Sequence, residues 1–467
     1  MNKLKGYVVA ALSYMLVLAF ITSCQTSEKK NENQKQNQKQ KEVEMKHVDW
    51  SKNANIYEVN IRQYTEEGTI NAFREHLPRL KEMGVDILWL MPVQPIGKLN
   101  RKGSLGSYYS IKDYKAVNPE FGTMQDLKDL VNQAHEMGMY VILDWVANHS
   151  SWDNTWAVEH PEYYVKNDDG TFHSPYDWTD VIQFDYNNPA MRDSMIHALK
   201  FWVEEADIDG YRCDVAGMVP TDFWNDAVTQ LKQIKPVFML AEDEDNLSLL
   251  EQAFDMNYTW KLLHLMNDIA KGEKNARDLW EYLGWNGQTF SPEDYRMNFI
   301  TNHDENSWNG TVKERMGEAT KAFAVLTYAI PGMPLIYSGQ EAGNDKALRF
   351  FEKDNIHWDY IGYQDFYTTL NRLKEQNRAL WNGAAGGTMI DISAPGNVNI
   401  FAFLREKENN KVVVVLNLSD EEGVFLANSM AAFGTYKNVF TQETLKISEY
   451  TQLNLKPWSY LVLTNQK

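Results

Sequence analysis

From Asn55 to about Leu380 the chain alternates short apolar runs with amphipathic segments. NIYEVNI (55–61) reads as a strand, and INAFREHLPRLKEMG (70–84) spaces its apolar residues three and four apart before a glycine, the pattern of a helix with its C-cap. VDILWLMPV (85–93) is nearly all apolar, as expected of a strand buried on both faces. The same two patterns return as a helix at 123–138 and a strand at 139–149. The cycle continues with a helix at 188–205, DGYRCDV (209–215), a helix at 221–234, VFMLAE (237–242), FDMNY (254–258), YRMNFITNHD (295–304), a helix at 313–329 and MPLIYSG (333–339). About eight strand–helix units is the count of a closed (β/α)8 TIM barrel.

Two stretches break the rhythm. Residues 150–187, rich in Trp, Asp, Asn, Pro and His, are too long for a βα loop and predict a short subdomain inserted after the third strand. Beyond about Leu380 the helices stop, and VNIFAFLRE, KVVVVLNL and SYLVLTN predict a C-terminal antiparallel β-sandwich. The expected domains are therefore a barrel over 47–380, including the insertion, and a sandwich over 381–467.

The N-terminus follows neither pattern. Lys3 and Lys5 precede a mostly apolar run ending in ITSC, which reads as an export signal over 1–23. Small residues before a cysteine resemble the lipobox of bacterial lipoproteins, and that resemblance implies a lipid on Cys24. QTSEKKNENQKQNQKQKEVEMK (25–46) has almost nothing to bury and reads, with Cys24, as a solvated linker over 24–46. The expected location is the periplasmic or cell-surface side of a bacterial membrane. With Cys24 assigned to the anchor, Cys213 has no disulfide partner.

Composition narrows the partners. The formal charge of −18 argues against nucleic acid and against anionic membrane surfaces bound through basic patches. The 15 Trp and 24 Tyr suit the apolar faces of sugars, although aromatics also simply fill cores. Protein partners are left open by the sequence.

Reactive groups of such a barrel gather at the C-terminal ends of its strands. There the chain places Asp144 and His149 after the third strand, Arg212 and Asp214 after the fourth, Glu242 after the fifth, and His303 with Asp304 after the seventh. Arg212 and Asp214 are two residues apart on one strand and so face the same way, which lets the guanidinium aim and charge the carboxylate. Each charge could be an ordinary ion pair, and EDED at 242–245 could be an ordinary acidic helix start. A barrel needs no such series to stand, however. No HxxxH spacing or His/Cys cluster marks a catalytic metal.

With these residues in hand the chain resembles the α-amylase family of glycoside hydrolases. DWVANH (144–149), GYRCDVA (210–216), LAEDE around Glu242 and ITNHDEN (300–306) are similar to its four conserved stretches, in order. YYSIKDYKAVNPEFGT (108–123) and QFDYN (183–187) resemble two further segments. The resemblance implies Asp214 as nucleophile, Glu242 as acid/base and Asp304 as the third carboxylate. It also implies Tyr109, Asp144, His149, Arg212 and His303 as substrate-binding residues. A retaining mechanism would put the two main carboxyls about 5–5.5 Å apart. No cofactor is implied for the chemistry, while Asn148 and Asp185 match positions that often hold a structural calcium. Many members carry Lys-His where this chain has Gly217-Met218, a departure that bears on substrate. The expected activity is hydrolysis of α-1,4-glucans or maltooligosaccharides. The alternatives are transglycosylation or α-1,6 cleavage at the same site, and, from another class, a non-catalytic glycan-binding lipoprotein.

Overall fold

The computed structural model describes residues 47–465. The expected signal peptide, lipid-bearing Cys24 and linker lie outside them. Eight parallel strands close a barrel: β1 (Ile56–Val59), β2 (Ile87–Leu90), β3 (Tyr140–Trp145), then, after the insertion's β4 (His149–Ser151) and β5 (Val181–Gln183), β6 (Gly210–Cys213), β7 (Phe238–Ala241), β8 (Met256–Tyr258), β9 (Tyr295–Asn298) and β10 (Met333–Tyr337). Nearly every residue in these eight strands is buried, because the lumen covers one face and the helix ring the other. In register, Asp144 lies opposite Arg212, and Arg212 opposite Leu240.

The helices follow the apolar spacing, with two interruptions. The helix expected at 70–84 is two, Ile70–Arg74 and Leu77–Met83. Pro78 falls in the first turn of the second, where its missing N–H costs nothing; inside one continuous helix it would break a hydrogen bond. The segment at 313–329 breaks at Gly317, whose φ of 51° ends the Val312–Met316 helix before Thr320–Ala329 begins. The expected strand at 295–304 is regular only as far as Asn298, and the following residues form the loop that carries His303 and Asp304.

In the insertion β4 and β5 pair antiparallel. The C-terminal part contains β11 (Thr388–Asp391), β12 (Ile400–Lys407), β13 (Asn410–Asn417), β14 (Gly423–Leu426), β15 (Gly434–Asn438), β16 (Thr444–Ile447), β17 (Gln452–Leu455) and β18 (Tyr460–Thr464). Six of them form one sheet, ordered β11-β12-β13-β18-β15-β16, and β14 pairs with β17. Phe425 and Leu455 from the small sheet share a core with Val413, Val415 and Leu463 from the large one, so the two sheets pack as a sandwich.

Candidate active site

The polar residues expected at the strand ends converge on one guanidinium. Arg212, on β6, is fully buried and reaches three carboxylates. Its Nη1 donates to Asp144 Oδ1 at 2.8 Å and to Asp214 Oδ1 at 3.3 Å, while Nε donates to Tyr258 Oη at 3.1 Å. Nη2 lies 2.9 Å from Glu242 Oε2, an ion-pair contact whose angle falls outside hydrogen-bond geometry. One planar fork thus spans Asp214 and Glu242, which end neighbouring strands. The sequence suggested that Arg212 serves Asp214; its shortest contacts are to Asp144 and Glu242. A delocalised cation packed among three acids is shared by all of them.

Burial pushes the Asp214 carboxyl well above its ordinary range, the charge of Glu242 adds to the push, and Arg212 opposes it. The backbone between them is held in an uncommon state. Val215, immediately after Asp214, has φ 36° and ψ 48°, a left-handed conformation unusual for a β-branched residue. That turn points the Val215 N–H at Glu242 Oε2, 2.8 Å away, and so fixes Glu242 relative to Asp214.

Across the mouth, Tyr109 is 8% exposed and its hydroxyl donates to Asp144 Oδ2 at 2.9 Å. The same hydroxyl lies 2.8 Å from His303 Nε2. His303 Nδ1 contacts Glu58 Oε1 at 2.5 Å, and Nε2 is 3.2 Å from Asp304 Oδ2. Burial works against the imidazolium, but Asp304 and Glu58 outweigh it and raise the His303 pKa to about 9. His149 is the opposite case: burial lowers it to about 3, so the ring 3.9 Å from Asp214 Oδ2 is neutral. Of the two histidines, one is a cationic donor and the other an uncharged hydrogen-bonding ring.

All eight residues singled out from the sequence thus lie at one mouth. Asp304, with a side chain 34% exposed, is the most open of the three acids expected to act. Sequence reasoning missed Glu58, Trp89 and Tyr258. Trp89 Nε1 donates to Asp144 Oδ2 at 3.1 Å, and with Tyr258 and Glu58 it orients the first layer of groups. A signal existed for Glu58: a lone carboxylate in the otherwise apolar centre of NIYEVNI must be paired if it is to be buried.

Asn148 and Asp185, the pair suggested for calcium, both lie among the described residues. Asp185 Oδ1 accepts from both the backbone and side-chain N–H groups of Asn187, and the Asn148 amide turns to His149 Nδ1. Among the described residues no three His, Cys, Asp or Glu side chains cluster as metal ligands would.

Comparison with known proteins follows the same division of the chain. The model of the α-amylase catalytic domain matches residues 30–180 and 163–361, and that of the maltogenic amylase C-terminal domain matches 391–462. The α-amylase MalA of Haloarcula japonica is 27% identical over 392 residues, which cover 80% of this chain and 56% of that protein. Among solved structures, an α-amylase from Lactobacillus plantarum superposes with a TM-score of 0.80 at 30% identity, covering 89% of this chain and 100% of its own. A noncanonic maltogenic α-amylase, AmyB of Thermotoga neapolitana, gives 0.81 at 29% identity, covering 88% and 98%.

Proposed function

Because this chain belongs to the α-amylase family, and is thereby a glycosidase-type enzyme, we propose that it is a retaining hydrolase of α-1,4-linked glucans or maltooligosaccharides. The observation that carries this reading is the Arg212 fork joining Asp214 to Glu242 beside Asp144. In the first step Asp214 attacks the anomeric carbon as the glycosidic bond breaks, and Glu242 gives its proton to the departing oxygen. In the second, the Glu242 carboxylate takes a proton from water, whose oxygen displaces Asp214 and restores both groups. Asp304 and the Tyr109–His303 pair hold the sugar hydroxyls, and Asp304 stabilises the positive charge that develops on the ring. The cycle needs one acid to begin charged and the other neutral. No step requires a metal.

The test is to incubate the purified protein with starch, pullulan, isomaltose and maltotriose and resolve the products, with and without an acceptor sugar. Release of α-configured maltooligosaccharides from starch is expected. Cleavage of isomaltose alone would move the reading to α-1,6 linkages, and acceptor-dependent products would move it to transglycosylation.

The location belongs to the same proposal: the ITSC stretch supports a lipid on Cys24, with residues 25–46 as a spacer between membrane and barrel. Labelled fatty acid fed to expressing cells should be incorporated into the wild-type protein and not into Cys24→Ala. Equal labelling of the variant would refute lipid attachment at this residue.

A further inference from the structure

An aromatic path leaves the buried site and climbs to the surface. The Tyr109 ring is stacked with Phe350, centroids 6.2 Å apart and planes at 12°. Phe350 in turn lies 5.3 Å from Trp308. Exposure rises along the path, from 8% at Tyr109, through a half-buried Phe350, to 56% at Trp308. Trp308 sits four residues past Asp304, in the short turn Glu305–Asn309.

The two loops that carry these rings are tied to each other. Asn306 Nδ2 donates to Lys346 O at 3.0 Å, its Oδ1 accepts from Leu348 N at 2.9 Å, and Ser307 Oγ donates to Leu348 O at 3.3 Å. These bonds join the two loops just before Trp308 and just before Phe350, and the two rings meet beyond them. An apolar face on loops already tied together beside a polar cleft favours binding, because less ordering entropy remains to be lost.

The direction of the path follows from Arg212. Its Nη1 end faces Asp144, Asp214 and Tyr109, and its Nη2 end faces Glu242. With Glu242 as the acid, the Nη2 side meets the leaving group, so the side of Tyr109, His303 and Asp304 holds the sugar that stays on the enzyme. The aromatic path begins at Tyr109, on the retained side.

We propose that Trp308 and Phe350 form a stacking platform for an α-linked glucose unit preceding the one that is transferred, and that Trp308 sets the enzyme's preference for glycosyl groups longer than one sugar. The platform rests on the glycosidase reading above. The apolar C–H face of a pyranose packs on an indole as other apolar surfaces do, and its hydroxyls stay at the rim in water.

The test compares kcat/KM for 4-nitrophenyl α-maltoside and 4-nitrophenyl α-glucoside, which differ by one sugar on the retained side. Wild type should favour the maltoside. Trp308→Ala should lower the maltoside-to-glucoside ratio about tenfold, chiefly through the KM for the maltoside, a loss equivalent to one aromatic contact. Trp308→Phe, which keeps an aromatic face, should retain most of the preference, and Phe350→Leu should lose part of it. A ratio unchanged in both Trp308→Ala and Phe350→Leu overturns the platform while leaving the glycosidase reading intact. A wild-type enzyme that cleaves neither nitrophenyl substrate nor maltohexaose overturns the glycosidase reading, and the platform with it.

Discussion

Arg212 is one side chain serving three acids, and the consequences are local. On the proposed mechanism, Asp214→Asn removes the charge of the oxygen that would attack while keeping its shape, so turnover should fall by at least about 10³-fold with maltotriose binding still measurable by calorimetry. Turnover within tenfold of wild type would take Asp214 out of the nucleophile's role. The two histidines set the pH response from opposite sides. His303 has a folded pKa near 9, above its ordinary 6.5, so its stabilising charge is fully present below pH 6.5 and is lost as pH rises through about 9. His149, held near 3, contributes stability that is present above pH 6.5 and lost as pH falls towards 3, because the unfolded ring takes up a proton that the buried one refuses. Glu58→Gln removes one of the two anions facing His303, and the alkaline limb of the Tm–pH curve should then move to lower pH. An unmoved limb would show that Asp304 alone holds the charge.

At the scale of elements, local signals and close approaches decide which substitutions are tolerated. The helix Met124–Glu136 starts with a complete capping box, Thr123 Oγ1 accepting from Asp126 N and the Asp126 carboxylate accepting from Thr123 N. Thr123→Ala should cost about 1 kcal/mol, visible as a lower urea midpoint at unchanged slope. Gly210, at the start of β6, has φ 147°, and a methyl group there would sit 1.8 Å from the Phe238 carbonyl oxygen on β7. Gly210→Ala should therefore pry apart the two strands that carry Asp214 and Glu242, with loss of activity and soluble yield together. The glycine was visible in GYRCDV, but its reason was not, since the neighbouring carbonyl belongs to a strand 28 residues further on. Strand and helix positions were legible because burial on both faces and three-to-four spacing are written in composition. The breaks at His76 and Gly317 were harder to read, since apolar spacing continues across them.

For the molecule as a whole, the barrel and the C-terminal sheets are joined by buried polar bonds. Arg405 of β12 is fully buried and donates to Ala329 O at 2.8 Å and to Gly387 O at 3.0 Å, and burial lowers its pKa to about 10. Asn377 Nδ2 donates to Thr464 Oγ1, and Phe366 stacks on Phe440 with centroids 5.5 Å apart. Ending the chain before β11 would leave the Ala329 carbonyl unpaired and the Phe366 face bare. A protein truncated at residue 386 should be insoluble or melt well below the full chain, and the full chain should show one calorimetric transition over both domains. Two separated transitions would mean that the halves fold independently.

The sequence by itself determined the eight-unit barrel, the sandwich after it and which charged residues end the barrel strands, because parallel buried strands and strand-end charges leave a pattern that needs no partner to be seen. Only the tertiary structure decided how those acids share one cation, which histidine is charged, why Glu58 is buried, and that Trp308 continues the line of Tyr109. Each of those depends on distances between residues far apart in the chain, and charge, burial and stacking act through distance in space, which the order of residues does not encode directly.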